Sequence, residues 1–215
     1  MKLFKLLAIS ALSAVMVSCG GKEGLNGHEY VDLGLASGTM WATTNLGAEK
    51  PGQSGDYFAW AENYSKASFS WETYKYGEDE SALSAFNATD SLKTLKDNSD
   101  AATTAWGKGW STPTNEQFQE LIDKCTWEWD KQDGLHGYKI TGPSGKSIFL
   151  PAAGYYHKNT HKAESEEGGY WTGNLCDEGY TNAYGLAFDQ EDKDLESYER
   201  CFGQSIRPVC NGVAE

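Results

Sequence analysis

Apolar side chains recur at helical spacing in one segment of the chain, and this is its clearest pattern. In WGKGWSTPTNEQFQELIDKCTW, the residues Phe118, Leu121, Ile122 and Cys125 stand at positions i, i+3, i+4 and i+7. This spacing places them on one face of an α-helix. Pro113 suits the first turn of a helix, where a missing N–H costs nothing. The segment therefore predicts an amphipathic helix.

Most of the remaining pattern is typical of short strands. HEYVDLGLASGTMWATTN reads as a hairpin that turns at Ser37-Gly38. Asp133-Gly134 is a strong two-residue hairpin signal between alternating segments. A turn at 143–145 precedes a third strand at 147–150, and closing strands are predicted at 170–172, 183–189 and 205–210. A short helix is predicted over 99–106, with Ser99 as its cap.

The N-terminus reads as an export signal. In MKLFKLLAISALSAVMVSCGG, Lys2 and Lys5 precede an apolar stretch at 6–17. That stretch is shorter than the roughly 20 residues that span a bilayer. Residues 1–18 are therefore predicted to be a signal peptide. Met16-Val17-Ser18-Cys19 looks like a bacterial lipobox. We therefore expect cleavage of the chain just before Cys19, which would become the N-terminal residue and be acylated with palmitate-type chains. Ordinary secretory cleavage, with Cys19 an incidental thiol, is the alternative.

The expected location follows from this anchor. Residues 19–27 are glycine-rich and are predicted to be a flexible tether to the membrane. The residues after Cys19 favour an outer-membrane lipoprotein at the cell surface, and a periplasm-facing lipoprotein is the alternative. Residues 28–212 are expected to form one domain.

Composition limits the classes of partner. The net charge of −13 argues against nucleic acid, whose binding depends on neutralised phosphates. Hydrophobic residues reach only 39%, but aromatic residues reach 13% and must supply much of the core. This balance favours short strands and long ordered loops.

Several stretches of the chain resemble a known family. They are YVDLGLASGTMWATTNLGA, GDYFAWAE, WGKGWSTPTNEQFQELIDKCTW, GYKITGPSGKSIFLPAAGYY, GGYWTGN and RCFGQSIRPVC. Together they resemble the Fibrobacter succinogenes major paralogous domain, which is similar to C-type-lectin-like and formylglycine-generating-enzyme domains. The resemblance implies an α+β, C-type-lectin-like fold with short strands, one or two helices and long C-terminal loops.

The resemblance also bears on chemistry. The calcium-lectin sugar motifs are absent, and the paired active-site cysteines of the formylglycine enzymes are not recognisable. In such a fold Cys125 and Cys210 can be neighbours, so a Cys125–Cys210 disulfide is expected. A Cys176–Cys201 disulfide would join the ends of an acidic loop. Buried free thiols are the alternative for all four.

The acidic segment DQEDKDLESYER carries six carboxylates in twelve residues. It is expected to lie in the 174–200 segment, whose loop presents ligand contacts together with the loop at 158–169. Asp189, Glu191, Asp192 and Asp194 are weak candidate Ca²⁺ ligands, because hard cations bind several oxygens. Candidate ligand-binding residues are Trp171, which would brace the loops, Tyr180, Tyr184, Asp189, Glu191, Asp192, Asp194 and Tyr198. A solvated acidic connection is the simpler alternative.

One modification site is also a candidate. Asp90-Ser91-Leu92 matches a short Asp-Ser/Thr-aliphatic pattern for O-glycosylation, at Ser91, within a polar excursion of the chain.

The sequence is thus best interpreted as a surface-anchored binding or display module, an adhesin for glycans or for an envelope or host protein. No catalytic arrangement is recognisable, and no cofactor beyond Ca²⁺ is indicated. The alternatives are an oxidase similar to the formylglycine-generating enzymes, and a structural envelope protein without a small ligand.

Overall fold

The computed structural model describes residues 24–211. Its strands are β1 (Gly24–Leu25), β2 (His28–Asp32), β3 (Thr39–Ala42), β4 (Trp110–Ser111), β5 (Thr126–Gln132), β6 (Leu135–Thr141), β7 (Ser147–Pro151), β8 (Tyr155–His157), β9 (Thr160–Lys162), β10 (Gly168–Leu175), β11 (Asn182–Phe188), β12 (Lys193–Glu199) and β13 (Val209–Asn211). Its helices are α1 (Ala101–Trp106) and α2 (Asn115–Lys124). The described part of the chain is α+β and mostly antiparallel β.

The beginning and end of the described chain meet in one five-stranded sheet. Its order is β1-β2-β3-β13-β4, so the last strand lies between the first hairpin and β4. The predicted hairpin is confirmed as β2 and β3. Arg207, which is fully buried, supports this join. Its guanidinium donates to Asn45 Oδ1, to the carbonyl oxygen of Ala42 and to that of Phe149.

The second sheet is the meander β5-β6-β7, as its turn signals predicted. Asp133 and Gly134 connect β5 to β6 with φ values of 52° and 101°, the backbone that a two-residue hairpin turn requires. This turn sets the register, which pairs Trp129 with Tyr138 and Lys131 with His136. Strand β7 then pairs with β6.

The third sheet, β10-β11-β12, corrects the main expectation about the C-terminal half. Residues 193–199 of the acidic segment are strand β12 rather than loop, and they pair with all of β11. Only residues 189–192 form the connecting turn. The sequence did not predict this strand because most of its side chains are charged and its apolar residues do not alternate. The two partly buried apolar residues, Leu195 and Tyr198, face opposite sides of the sheet.

Both helices form near their predicted positions but begin later. The side chain of Asp100, and not Ser99, caps α1 by accepting from the N–H groups of Ala102 and Thr103. Helix α2 begins with a capping box between Thr114 and Gln117, so Pro113 precedes the cap and is not in the first turn.

The largest core cluster lies where α2 packs across the third sheet. Phe118 and Leu121 are fully buried there, against Tyr170, Leu186 and Phe188 of the sheet. Half-buried Ile122 and Cys125 complete the stripe that the sequence predicted. Side chains of the second sheet close the same cluster, so this core joins the two sheets and helix α2.

The longest segment with little regular structure lies in the N-terminal half, and not in the C-terminal half as expected. Between β3 and α1 the described chain has only short 3₁₀ turns, at Trp71–Thr73, Glu80–Ala82 and Asp97–Ser99. Fully buried Arg200 ties this segment to the sheets. It donates to the hydroxyl of Tyr74 and to the carbonyl oxygens of Phe86 and Tyr180.

Neither predicted disulfide is present, because the structure has Cys125, Cys176, Cys201 and Cys210 as free thiols. Cys125 packs against the α2 core, whereas Cys210 lies in a separate cluster with Ala42 and Trp110. Cys201 lies in another cluster, with Tyr57 and Phe69. Cys176 follows β10, and its backbone N–H donates to the carbonyl oxygen of Asn182.

The N-terminal predictions are only partly open to comparison. The signal peptide and Cys19 lie outside the described residues, as does the last residue of the expected 28–212 domain. Gly24 and Leu25, which were assigned to the tether, instead pair with Glu29 and His28 in the first sheet. Within residues 24–211, neither helix has the length and apolar character needed to cross a bilayer.

Candidate ligand-binding site

The turn between β11 and β12 is the centre of the candidate site. Asp189 Oδ1 accepts hydrogen bonds from the backbone N–H groups of Glu191 (2.7 Å) and Asp192 (2.8 Å). The N–H of Asp189 in turn donates to the carbonyl oxygen of Asp192 at 3.0 Å. These two backbone donors hold the pKa of Asp189 below its ordinary value. The turn is therefore closed by its own first residue, which stays ionised at neutral pH.

One side of this turn borders a cavity of about 250 Å³, which we call the acidic cavity. It is lined by Glu167, Gly168, Ala187, Phe188, Asp189, Asp192, Lys193, Asp194 and Glu196. The predicted residues Asp189, Asp192 and Asp194 meet here. Most of the wall is carboxylate, and Phe188 is the one aromatic ring among the lining residues.

The other side of the turn borders a larger cavity of about 450 Å³, which we call the Trp129 cavity. It is lined by Trp129, His136, Ser165, Glu166, Asp189, Gln190 and Glu191. Both segments expected to present ligand contacts contribute to it, the 158–169 segment through Ser165 and Glu166 and the acidic segment through its turn. Asp189 belongs to both cavities.

Aromatic packing fixes the ring of Trp129. Its ring centroid lies 5.0 Å from that of Tyr138 and 6.4 Å from that of Phe188, both edge-on. The ring of His136 is stacked beside it at 6.1 Å, with 29° between the planes. Trp129 is nevertheless only half-buried. It therefore presents a supported aromatic surface in the cavity.

Hydrogen bonds join the three elements around that surface. The backbone N–H of His136 donates to Ser165 Oγ at 3.1 Å, and the N–H of Ser165 donates to the carbonyl oxygen of Ala152. The hydroxyl of Tyr138 donates to the carbonyl oxygen of Gln190 at 3.2 Å. The second sheet thus holds both the 163–167 turn and the acidic turn in place.

The local field is negative. Burial raises the pKa of Tyr138, and the carboxylates of Asp189 and Asp192 raise it further. Lys193, the one lysine or arginine among the residues lining the two cavities, has its ammonium 5.6 Å from the ring centroid of Trp127 and 6.0 Å from that of Tyr138.

The four candidate Ca²⁺ ligands do not converge on one point. Asp189 Oδ1 is committed to the turn, and the side chains of Asp192 and Asp194 each accept from the N–H of the next residue. Glu191 lines the Trp129 cavity, whereas Asp192 and Asp194 line the acidic cavity. Within residues 24–211, no three His, Cys, Asp or Glu side chains converge so that they can hold a metal ion.

The candidate aromatic residues do not join the turn. Trp171 is 1% exposed and donates its indole N–H to the carbonyl oxygen of Phe58, so it braces the core and does not face a ligand. Tyr184 lies near the other end of β11, about 16 Å along the strand from Asp189. The ammonium of Lys93 lies over the ring of Tyr180, 4.4 Å from the ring centroid. The hydroxyl of Tyr198 donates to Glu196 Oε2, next to the acidic cavity.

Ser91 is exposed, with φ at 55°. Asp90 accepts from the backbone N–H groups of Phe86, Asn87 and Leu92. The aspartate of the proposed glycosylation pattern therefore has a structural role in this turn, while the serine faces solvent.

Sequence reasoning missed Trp129 and His136 as site residues. The sequence TWEWDKQDGLHGY could have predicted part of this arrangement. A two-residue turn at Asp133-Gly134 places Trp129 opposite Tyr138 in the hairpin. The pattern does not reveal which sheet face the acidic turn would meet, and that contact creates the cavity.

Comparisons of the chain with protein-family models, with curated proteins and with solved structures found no match.

Proposed function

We propose that this protein is an exported, lipid-anchored binding module, and that the Trp129 cavity is its contact site for glycans. The observation that carries the proposal is the supported Trp129 ring in a cavity with a polar rim. The flat faces of sugar rings pack on aromatic surfaces, while carboxylate, amide and hydroxyl groups orient their hydroxyls. Ser165, Gln190 and the rim carboxylates offer those partners.

The proposed fold family is the C-type-lectin-like one of the resemblance. The α+β architecture supports it, as does the placement of both expected contact segments at one site. We propose the outer membrane, at the cell surface, as the location, with Cys19 as the acylated anchor. A periplasm-facing anchor is the alternative.

The state of the thiols favours a binding module over an oxidase similar to the formylglycine-generating enzymes. Burial raises the pKa of Cys176 and of Cys210 to about 11, and that of Cys201 to about 12. Thiols with such pKa values have little of the reactive thiolate at neutral pH. Neither the acidic cavity nor the Trp129 cavity is lined by a cysteine.

The test is a host and microbial glycan array probed with the purified full-length protein, once in Ca²⁺ and once in chelator. We expect reproducible binding that is lost in Trp129→Ala. Trp71→Ala is the matched control, because Trp71 is also half-buried but packs on Tyr74, away from the cavity. Absence of binding in both buffers, or equal binding by Trp129→Ala, would contradict the proposal. Binding only in Ca²⁺ would indicate that the acidic turn binds a metal ion after all.

A further inference from the structure

The charges around the Trp129 cavity point to one class of glycan. Three carboxylates line it, from Glu166, Asp189 and Glu191, and no Lys or Arg does. Lys193 is engaged with the rings of Trp127 and Tyr138. Lys131 stands opposite His136 in the strand register and is exposed, but it is not among the lining residues. A ligand in the cavity therefore meets negative charge on several sides.

The aromatic surface of Trp129 also favours a positively charged ligand. The face of an indole ring attracts a cation through its quadrupole, and Trp does so better than Tyr or Phe. The rings of Tyr138 and Phe188 pack on the Trp129 ring at near-perpendicular angles and that of His136 is stacked beside it, so its exposed part cannot easily turn away. A cation seated here would have an aromatic face on one side and carboxylates on the rim.

The neighbouring acidic cavity strengthens this field. It adds the carboxylates of Glu167, Asp192, Asp194 and Glu196 on the far side of the same turn. Clustered charge of one sign raises the local concentration of oppositely charged ligands and repels those of like charge. Sialylated, uronic-acid and sulfated glycans are disfavoured on this ground, and neutral glycans gain nothing from it.

We propose that the Trp129 cavity selects glycans that carry a free, protonated amine, such as oligomers of unacetylated glucosamine. This inference rests on the proposed function, because it names the ligand class of the same site. The sugar ring packs on Trp129, its hydroxyls meet Ser165 and Gln190, and its ammonium lies among the carboxylates of Glu166, Asp189 and Glu191.

The test compares two ligands with the same sugar backbone, one carrying ammonium groups and the other carrying uncharged acetamido groups in their place. Calorimetric titration of the full-length protein uses the tetramer of β-1,4-glucosamine and the fully N-acetylated tetramer, which has the same rings and linkages. We expect the free-amine tetramer to bind about tenfold more tightly, which corresponds to one well-placed charge interaction. That preference should vanish in the double variant Glu166→Gln, Glu191→Gln. The matched control Glu78→Gln, Glu178→Gln removes the same charge at exposed positions outside both cavities and should keep it.

The outcomes separate this inference from the function on which it rests. Equal affinity for the two tetramers, or tighter binding of the acetylated one, overturns the amine class but leaves a glycan-binding module. Binding of neither, with an empty array, overturns both. If trilysine binds as tightly as the amine tetramer, or if Trp129→Ala keeps the preference, charge alone explains the attraction and the sugar class is wrong.

Discussion

The Trp129 cavity and the acidic cavity border the same four-residue turn and share Asp189, but their walls are made differently. In the Trp129 cavity the carboxylates surround a ring that Tyr138 and Phe188 hold in place. In the acidic cavity the carboxylates mostly project from the edge of a sheet and from the turn itself. Both cavities are therefore lined by carboxylates, but only one of them also contains the Trp129 ring. Only the Trp129 cavity offers a fixed apolar face on which a ligand can pack, and this is why we assign the contact site to it.

The acidic cavity has a simpler explanation in the sheet. Strand β12 pairs with β11 on one side and is an edge of the third sheet. Edge strands expose backbone groups that can pair with another chain, and charged side chains prevent this. Asp194 and Glu196 project from this strand on one face of the sheet. The charges that made the segment look like a loop or a metal site in the sequence are then the charges that keep an edge strand soluble.

The largest expected effect removes the ring that lines the acidic cavity and also packs on Trp129 of the other cavity. Phe188 is 4% exposed and packs on Trp127, Trp129, Tyr138 and Tyr170. We expect Phe188→Ala to lower the free energy of unfolding by about 3–5 kcal/mol, because it leaves a cavity in the core. Denaturant unfolding measures this. Leu195→Ala, at a half-buried position of the same sheet, should cost only about 1–2 kcal/mol. Equal costs would mean that Phe188 is not central to the packing.

A smaller effect should distinguish the two cavities directly. We expect the double variant Asp194→Thr, Glu196→Thr to self-associate through β12, because it removes two edge charges and adds residues that favour strands. Sedimentation velocity should show an average size that rises with protein concentration, while binding of an uncharged glycan, which gains nothing from the carboxylate field, is unchanged. The control Glu78→Thr, Glu178→Thr loses the same charge and should remain like the wild type. A monomeric double variant would remove the edge-strand explanation, and lost glycan binding would assign ligand contact to the acidic cavity.

The smallest effect concerns the turn between the cavities. The pKa of Asp189 is lower in the folded state than its ordinary value of 3.8. The ionised carboxylate therefore stabilises the fold at pH values above 3.8. This contribution is lost as the pH falls through the lower folded-state pKa. We therefore expect wild type to melt at a higher temperature than Asp189→Asn at pH 7, with the difference shrinking as the pH falls below 3.8 and through the lower folded-state pKa. A difference that is constant with pH would show that the charge of Asp189 does not stabilise the turn.

Local signals made a large part of the fold predictable. Helix α2 followed from one apolar stripe, and the β5–β6 hairpin followed from Asp133-Gly134, because both signals lie within a few residues of the structure they set. Strand β12 was not predictable in the same way. Its alternation is broken, since Leu195 faces the α2 core while Tyr198 faces Trp171 on the opposite side.

The candidate site was predictable only in part. The acidic segment was identified from its composition, and four of its carboxylates, those of Asp189, Asp192, Asp194 and Glu196, do line one cavity. Trp129 and His136 were missed because they join the turn only when the second and third sheets pack together. Trp171 was a candidate ligand contact that would brace the loops, but it is buried and its indole N–H is satisfied within the core. Contacts between distant segments, rather than local pattern, decide which aromatic residue a ligand can reach.

The central claim is that ligands contact Trp129, and the indole N–H resonances of the protein test it most directly. The chain has eight tryptophans, and Trp129→Ala assigns the signal of Trp129 by its loss. During titration with a glycan that binds on the array, we predict that the Trp129 signal shifts until saturation while the signal of buried Trp171 stays in place. Saturable binding that leaves the Trp129 signal unmoved would contradict the account and would place the contact site elsewhere on the protein.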